Sequence, residues 1–310
     1  MREKSITLLQ LNPFMEFLES ELQRHFEVVR WFELSHSEQR AWLAERSEDV
    51  EAIASGAHVG CPNELLDALP SLKIVSINGV GVDKVDLNHA AAKGVRVGTT
   101  VGGPTEDTAD LAVGLTISLL REIPAAHEHV RDGKWPQAER PLAHKVTGRH
   151  FGIVGLGQIG SAVAARLAAF GPVSYTGPNR KDVPYEFVAD LHELARRCDV
   201  LIVTCPANAA TRHLIDAAVL EALGANGWLI NVARGAIVDE AALTEALEAG
   251  RIAGAGIDVF EDEPNVSESL RKNSRVVLIP HMGSATVETR QRMAEMVLEN
   301  LYAAFEGESQ

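Results

Sequence analysis

At 310 residues the chain is long for a single hydrophobic core and comfortable for two domains. Its residues are 46% hydrophobic and 23% charged, and no apolar run reaches spanning length, which excludes a membrane-spanning protein. A formal charge of -14 without any cluster of Lys and Arg excludes a nucleic-acid partner, because neutralising phosphates requires concentrated cations.

The start, Met1-Arg2-Glu3-Lys4-Ser5, mixes both charges, and the apolar stretch 6–9 is too short for a signal-peptide core, so the expected location is the cytoplasm. Residues 5–11, 28–32, 50–54, 73–77 and 95–99 read as strands separated by helix-like segments, with turns at Asn78-Gly79 and Lys93-Gly94. This alternation predicts a parallel sheet covered on both faces. Residues 105–120 read as one buried helix, and the mixed, polar stretch 121–149, with Trp135-Pro136 and Pro141, as an excursion between lobes. Cys61, Cys198 and Cys205 show no CxxC spacing and predict neither a disulfide framework nor a metal site.

A second α/β series begins at His150. The apolar residues 151–154 lead into Gly155-Leu156-Gly157-Gln158-Ile159-Gly160 and then a helical run from Ser161. Strand, GxGxxG, helix is the order a dinucleotide requires: the glycines permit the tight turn, the approach of pyrophosphate to backbone amides at the helix N-terminus, and close packing of that helix on the sheet. The next strand, 172–176, lacks at its end the acidic residue that would accept from a ribose 2′-hydroxyl. Asn179, Arg180 and Lys181 supply instead an amide and two cations, suited to a 2′-phosphate. This favours NADP(H). If Arg180 and Lys181 form only a solvated turn, the loop accepts NAD(H) as well, and Asp182 follows directly. Further strands at 200–204, 228–232, 255–257 and 275–279 end at Cys205, Arg234, Asp258 and His281, the carboxyl ends where open α/β sheets bind ligands.

Gly155 to Gly160, Asn231-Val232-Ala233-Arg234-Gly235, Asp258-Val259-Phe260-Glu261-Asp262-Glu263-Pro264 and Pro280-His281-Met282-Gly283-Ser284, in this order, resemble the D-isomer-specific 2-hydroxyacid dehydrogenases over nearly the whole chain. The turn 78–83 and the strand end 175–177 with its basic residues look most like the glyoxylate/hydroxypyruvate reductase branch. The resemblance implies NAD(P)H-dependent reduction of a small 2-oxo acid to the D-2-hydroxy acid by a catalytic set carried here by Arg234, Glu263 and His281. The chemistry needs such groups. Reduction places negative charge on the ketone oxygen, which a histidine can protonate as general acid. A carboxylate on its other ring nitrogen orients it and favours the protonated form, and a guanidinium can bind the substrate carboxylate and polarise the carbonyl. The resemblance further implies that Asp258 accepts from a nicotinamide carboxamide, that Thr108, Ile159, Cys205, Val232 and Gly283 line the cofactor, and that Val80, Gly81 and Ser284 contact substrate.

The expected architecture is two Rossmann- or flavodoxin-like parallel-sheet α/β domains with an interlobe cleft: a substrate-binding domain of 1–98 with 285–310, and an NAD(P)-binding domain of 99–284. Met293, Val297, Leu301 and Phe305, four residues apart, give the last helix one apolar face directed at the first lobe. A homodimer is expected, with Ala112, Val113, Leu115 and Leu119 supplying its surface. Trp135 resembles an aromatic that the partner contributes to the active site in reductases of this branch, or else plugs the interlobe arm. Two alternatives stay open: another family oxidoreductase, such as one oxidising phosphite, and a dinucleotide-regulated, corepressor-like binding protein. Glu263 argues against formate oxidation.

Overall fold

A computed structural model describes residues 6–306; the chain start 1–5, on which the reading of the N-terminus rests, and residues 307–310 lie outside it. The chain divides into two compact units, Met1–Pro104 with Thr286–Gln310, and Thr105–Ala285. The divisions expected from sequence were 98/99 and 284/285.

In the first unit β1 (Thr7–Gln10), β2 (Glu27–Arg30), β3 (Val50–Gly56), β4 (Ile74–Asn78) and β5 (Arg96–Gly98) form a wholly parallel sheet in the order β2-β1-β3-β4-β5. Successive side chains of a strand face opposite ways, so continuous apolar strands feed two cores. Leu9, Ile53, Val75 and Ile77 enter one, and Leu8, Ala52, Ala54 and Ile74 the other, where the Val287–Phe305 helix packs Val297 and Leu301. Met293, Val297 and Leu301 are buried as their spacing predicts, and Phe305 is partly buried with the Lys73 ammonium 5.3 Å from its ring centre. The second strand is shorter than read: after Arg30 the chain tightens into a 3-10 turn, Trp31–Glu33, with Trp31 edge-on to Trp42 at 6.0 Å. As an edge strand, β2 has a single neighbour to extend it.

The second unit holds β6 (Phe151–Val154), β7 (Val173–Thr176), β8 (Glu186–Phe187), β9 (Val200–Val203), β10 (Trp228–Asn231), β11 (Gly254–Ile257) and β12 (Val276–Leu278), parallel in the order β12-β11-β10-β9-β6-β7-β8. The chain steps outward from β6 through β7 to β8, then returns to place β9 on the other side of β6. That reversal opens a switch point between the carboxyl ends of β6 and β9.

The Thr105–Leu120 helix covers one face of this sheet. Alternate residues of β11 are glycines, and a methyl at Gly254 or Gly256 would lie 3.3 Å from Leu119 Cδ1 or 3.4 Å from Leu115 Cβ. Ala112, Leu115 and Leu119 are therefore core residues, at most 8% exposed, and do not form the dimer surface expected of them; Val113 is partly buried beside them. The excursion 121–149 contains a helix, Ile123–Arg131, with proline in its first turn and no buried residue. Arg140 fastens the returning segment of this arm to Glu122 at 2.5 Å. Trp135 is 66% exposed, so among the described residues it does not act as a hydrophobic plug of the arm. No helix among the described residues is long and apolar enough to cross a membrane.

Candidate active site

The glycines after β6 divide by what surrounds them. Gly155 has φ +92°, and a Cβ there would lie 2.6 Å from Cys205 Cβ; a Cβ on Gly160 would lie 2.1 Å from the Gly155 carbonyl oxygen. Both are required by the chain's own packing. Gly157, which begins the Gln158–Leu167 helix, would carry a Cβ that meets nothing within 4 Å. An amide-lined helix N-terminus with open space before it fits the pyrophosphate of a dinucleotide. Around it, Leu156 and Val232 are buried and Ile159 and Cys205 half-buried, while Gln158 is exposed. Burial pushes the Cys205 thiol up to about 11, so it stays a neutral packing group.

Beyond β7, Asn179, Arg180 and Lys181 are exposed. The Lys181 amide donates to the hydroxyl of the buried Tyr175 at 2.6 Å, and its ammonium donates to the carbonyl of Leu156. Arg180 has no hydrogen-bond or ionic partner among the described residues. Of the two cations read as a phosphate cradle, one is thus engaged inside the unit.

At the carboxyl ends of β10, β11 and β12 three turns converge. His281 Nδ1 lies 2.8 Å from Glu263 Oε2, and the other Glu263 oxygen accepts from the Phe260 amide at 3.0 Å. Burial opposes charge on Glu263, yet the bonds from His281 and Phe260 and the positive charges of His281 and Arg234 together hold its carboxyl below the usual range. Asn231, 1% exposed, shapes the Arg234 turn: its amide nitrogen donates to the Arg234 carbonyl at 3.1 Å and its oxygen accepts from the Ala233 amide at 3.1 Å. Gly235 lets that turn touch the next, since a Cβ there would lie 1.9 Å from the Phe260 carbonyl carbon.

His281 has a left-handed backbone, φ +51°. Asp258, 1% exposed, holds this turn: its carbonyl accepts from the His281 amide at 2.8 Å, and its carboxylate from the Met282 and Gly283 amides at 2.5 and 3.0 Å. Burial raises the Asp258 carboxyl, against the lowering by these two amides and by His281. The buried Thr108 hydroxyl donates to the Gly283 carbonyl at 2.9 Å and closes the turn from the other side.

Comparison with known proteins decides the family. Residues 113–283 match the D-isomer specific 2-hydroxyacid dehydrogenase, NAD binding domain. The chain belongs to this family. It is accordingly an NAD(P)-dependent oxidoreductase. Glyoxylate/hydroxypyruvate reductase A of Arabidopsis thaliana is 44% identical over 99% of this chain and 98% of its own length. Hydroxyphenylpyruvate reductase of Plectranthus scutellarioides is also 44% identical, over 98% and 97%. Among solved structures, an NADPH-dependent glyoxylate/hydroxypyruvate reductase from Sinorhizobium meliloti, in complex with NADP and malonate, superposes with a TM-score of 0.89 at 40% identity, covering 98% of this chain and 94% of that one.

In this dehydrogenase the structure brings Glu263 and His281 into contact and sets Arg234 on the turn against Phe260, with Ser284 half-buried just after the His281 turn. Val80 and Gly81, both half-buried, follow β4 in the first unit, where Gly79 presses on Ala57 so closely that a Cβ would lie 2.4 Å from the alanine Cβ. Sequence reasoning did not foresee the part played by Asn231, Gly235 and the Thr108 hydroxyl in shaping these turns. The Asn-x-x-Arg-Gly spacing is a usable signal for the first two, because an Asn side chain two or three residues ahead of a turn commonly bonds its backbone.

Proposed function

We propose that this dehydrogenase reduces a small 2-oxo acid, glyoxylate or hydroxypyruvate, to the D-2-hydroxy acid, preferring NADPH and accepting NADH. The observation that carries the reading is the Glu263–His281 contact beside Arg234 at the carboxyl ends of β10 to β12. Glu263 accepts from Nδ1 and so directs Nε2, which has no partner among the described residues, at the substrate. Nε2 donates its proton to the keto oxygen. Arg234 binds the substrate carboxylate and polarises the carbonyl. Val80, Gly81 and Ser284 are the further substrate contacts of this reading. The cofactor, when bound, supplies the hydride from nicotinamide C4. Gly155, Leu156, Gly157, Gln158, Ile159 and Gly160 would hold its pyrophosphate, with Thr108, Cys205, Val232, Asp258 and Gly283 along the nicotinamide half and Asn179, Arg180 and Lys181 near the adenosine ribose. The absence of a carboxylate at the end of β7 and the partnerless Arg180 support the preference for NADPH.

The enzyme is read as a cytoplasmic homodimer. Its three cysteines are free thiols, which fits a reducing compartment. Ile123, Val130, Trp135 and Leu142 on the 121–149 arm are 47 to 95% exposed, and a second copy of the chain would cover this apolar surface. The test of function is the loss of nicotinamide absorbance with NADPH and with NADH against glyoxylate, hydroxypyruvate, pyruvate and phenylpyruvate. Fastest turnover is expected for NADPH with a two- or three-carbon acid, and His281→Ala should abolish it while still binding NADPH. Oxidation of neither cofactor by any acid overturns the reading.

A further inference from the structure

The two cations after β7 are chemically alike but differently placed. Lys181 is fixed at both its backbone and its side chain. Its N–H donates to Tyr175 Oη at 2.6 Å, the same hydroxyl turns back toward the Lys181 carbonyl at 3.4 Å, and the Tyr175 ring is immobilised in the core, 1% exposed and 5.3 Å from the Phe187 ring. From that anchor the ammonium reaches the carbonyl of Leu156, the second residue of the glycine turn. Arg180, one residue earlier, is exposed and has no partner among the described residues.

That contact has a geometric consequence. A peptide unit is planar and trans, so a carbonyl of Leu156 directed at Lys181 sends the amide of Gly157 the opposite way. No side chain restricts rotation of the Leu156–Gly157 peptide on its glycine side, since a Cβ at Gly157 would face open space. A cation on the carbonyl locks the plane. The locked amide is the first of those that would meet a pyrophosphate, a group common to both dinucleotides.

The geometry points to a division of labour: Lys181 is a positioning residue that clamps the glycine turn for either dinucleotide, and Arg180 alone reads the 2′-phosphate. This rests on the NADPH preference proposed above only for the part concerning Arg180.

The test measures dissociation constants of NADPH and NADH by quenching of protein fluorescence, without substrate, for the wild type, Lys181→Met, Lys181→Arg and Arg180→Ala. Lys181→Met is expected to weaken both dinucleotides by the same factor, roughly tenfold, as for one lost charged hydrogen bond. Lys181→Arg, which keeps a donor cation, is expected to restore both, and the ratio of the two affinities should stay at the wild-type value in both variants. That ratio remains readable in Lys181→Arg should the methionine variant not fold. Arg180→Ala is expected to weaken NADPH alone. Selective loss of NADPH in a Lys181 variant means that the ammonium leaves Leu156 for the phosphate, and overturns the clamp. Unchanged affinity for both in Lys181→Met overturns it too. Equal losses in Lys181→Met together with no selectivity in Arg180→Ala keep the clamp and remove the NADPH preference instead.

Discussion

Replacing Gly157 by Ala separates a glycine needed by a ligand from those needed by the fold. The backbone of Gly157, φ -76° and ψ -157°, is extended, and an added Cβ meets no atom within 4 Å. The effects on the fold are small and opposed: losing glycine at the helix cap and stiffening the unfolded chain are each worth a few tenths to about 1 kcal/mol. A bound pyrophosphate reverses the balance. A phosphate oxygen accepting from the Gly157 amide would sit about 2.9 Å from its nitrogen, and a methyl on the adjoining carbon takes the space beside it. Displacing the dinucleotide forfeits at least one charge-assisted hydrogen bond, about 1.5–3 kcal/mol, or roughly ten- to a hundredfold in affinity. Fluorescence titration with both dinucleotides and thermal unfolding of the free protein are the assays. Both affinities should fall by the same factor while the melting temperature moves by less than about 3 °C. Gly155→Ala is the internal contrast: at φ +92° with Cys205 Cβ 2.6 Å away, it should melt well below the wild type. Unchanged binding in Gly157→Ala, or a melting loss as large as that of Gly155→Ala, refutes the assignment.

Glu263→Gln keeps a hydrogen bond on His281 Nδ1 but removes its charge; with the two side chains 40% and 30% exposed, solvent screens the difference. The expected loss in kcat is about tenfold, with dinucleotide affinity unchanged, and steady-state rates within twofold of wild type would contradict the role. The same variant tests the ionic state of Glu263. Its carboxyl is held low in the folded protein, so its stabilisation is present above the unfolded value and lost as pH falls through the folded one. In urea unfolding the stability gap between wild type and Glu263→Gln should therefore be full at neutral pH and close below about pH 4; a gap that widens in acid is inconsistent with this. Gly235→Ala puts a Cβ 1.9 Å from the Phe260 carbonyl carbon, where contact is ordinary only from 3.4 Å, so the Arg234 and Phe260 turns must part by over an ångström. Misplacement on that scale is expected to cut kcat by about a hundredfold, and wild-type turnover in a folded Gly235→Ala would show that the two turns act independently.

Both sheets are legible in the sequence because strands buried on both faces read as continuous apolar runs, and each run ends at the residue facing the ligand side. The two-residue β8, Glu186-Phe187, is too short to leave such a trace. The Ile123–Arg131 helix escapes for another reason: Ile123 and Val130 are exposed, so no apolar stripe points to a core, although Pro124 at its start is a helix signal. The Thr105–Leu120 helix misleads in the opposite direction. It is buried as its apolar run predicts, but Ala112, Leu115 and Leu119, also expected at a surface for a partner chain, face the unit's own sheet, with Gly254 and Gly256 making the room.

The chemistry of the candidate site is legible because it depends on residue type at a strand end; its geometry is not, because it depends on residues remote in the chain. A histidine at φ +51° occupies backbone space that costs on the order of 1 kcal/mol or more, and something must hold it there. Asp258 does so with its carbonyl and both carboxylate oxygens, and Thr108, from the opposite end of the unit, fixes the following glycine. A buried carboxylate accepting two backbone amides is a strong local tether, since each bond is charge-assisted and shielded from water. The resemblance marks Asp258 as a cofactor contact, whereas its bonds within the chain already fix the direction of His281. On the proposed reading Asp258 would serve both tasks, and a displacement of its carboxylate by a bound cofactor would pass through the Met282 and Gly283 amides to the imidazole next to them.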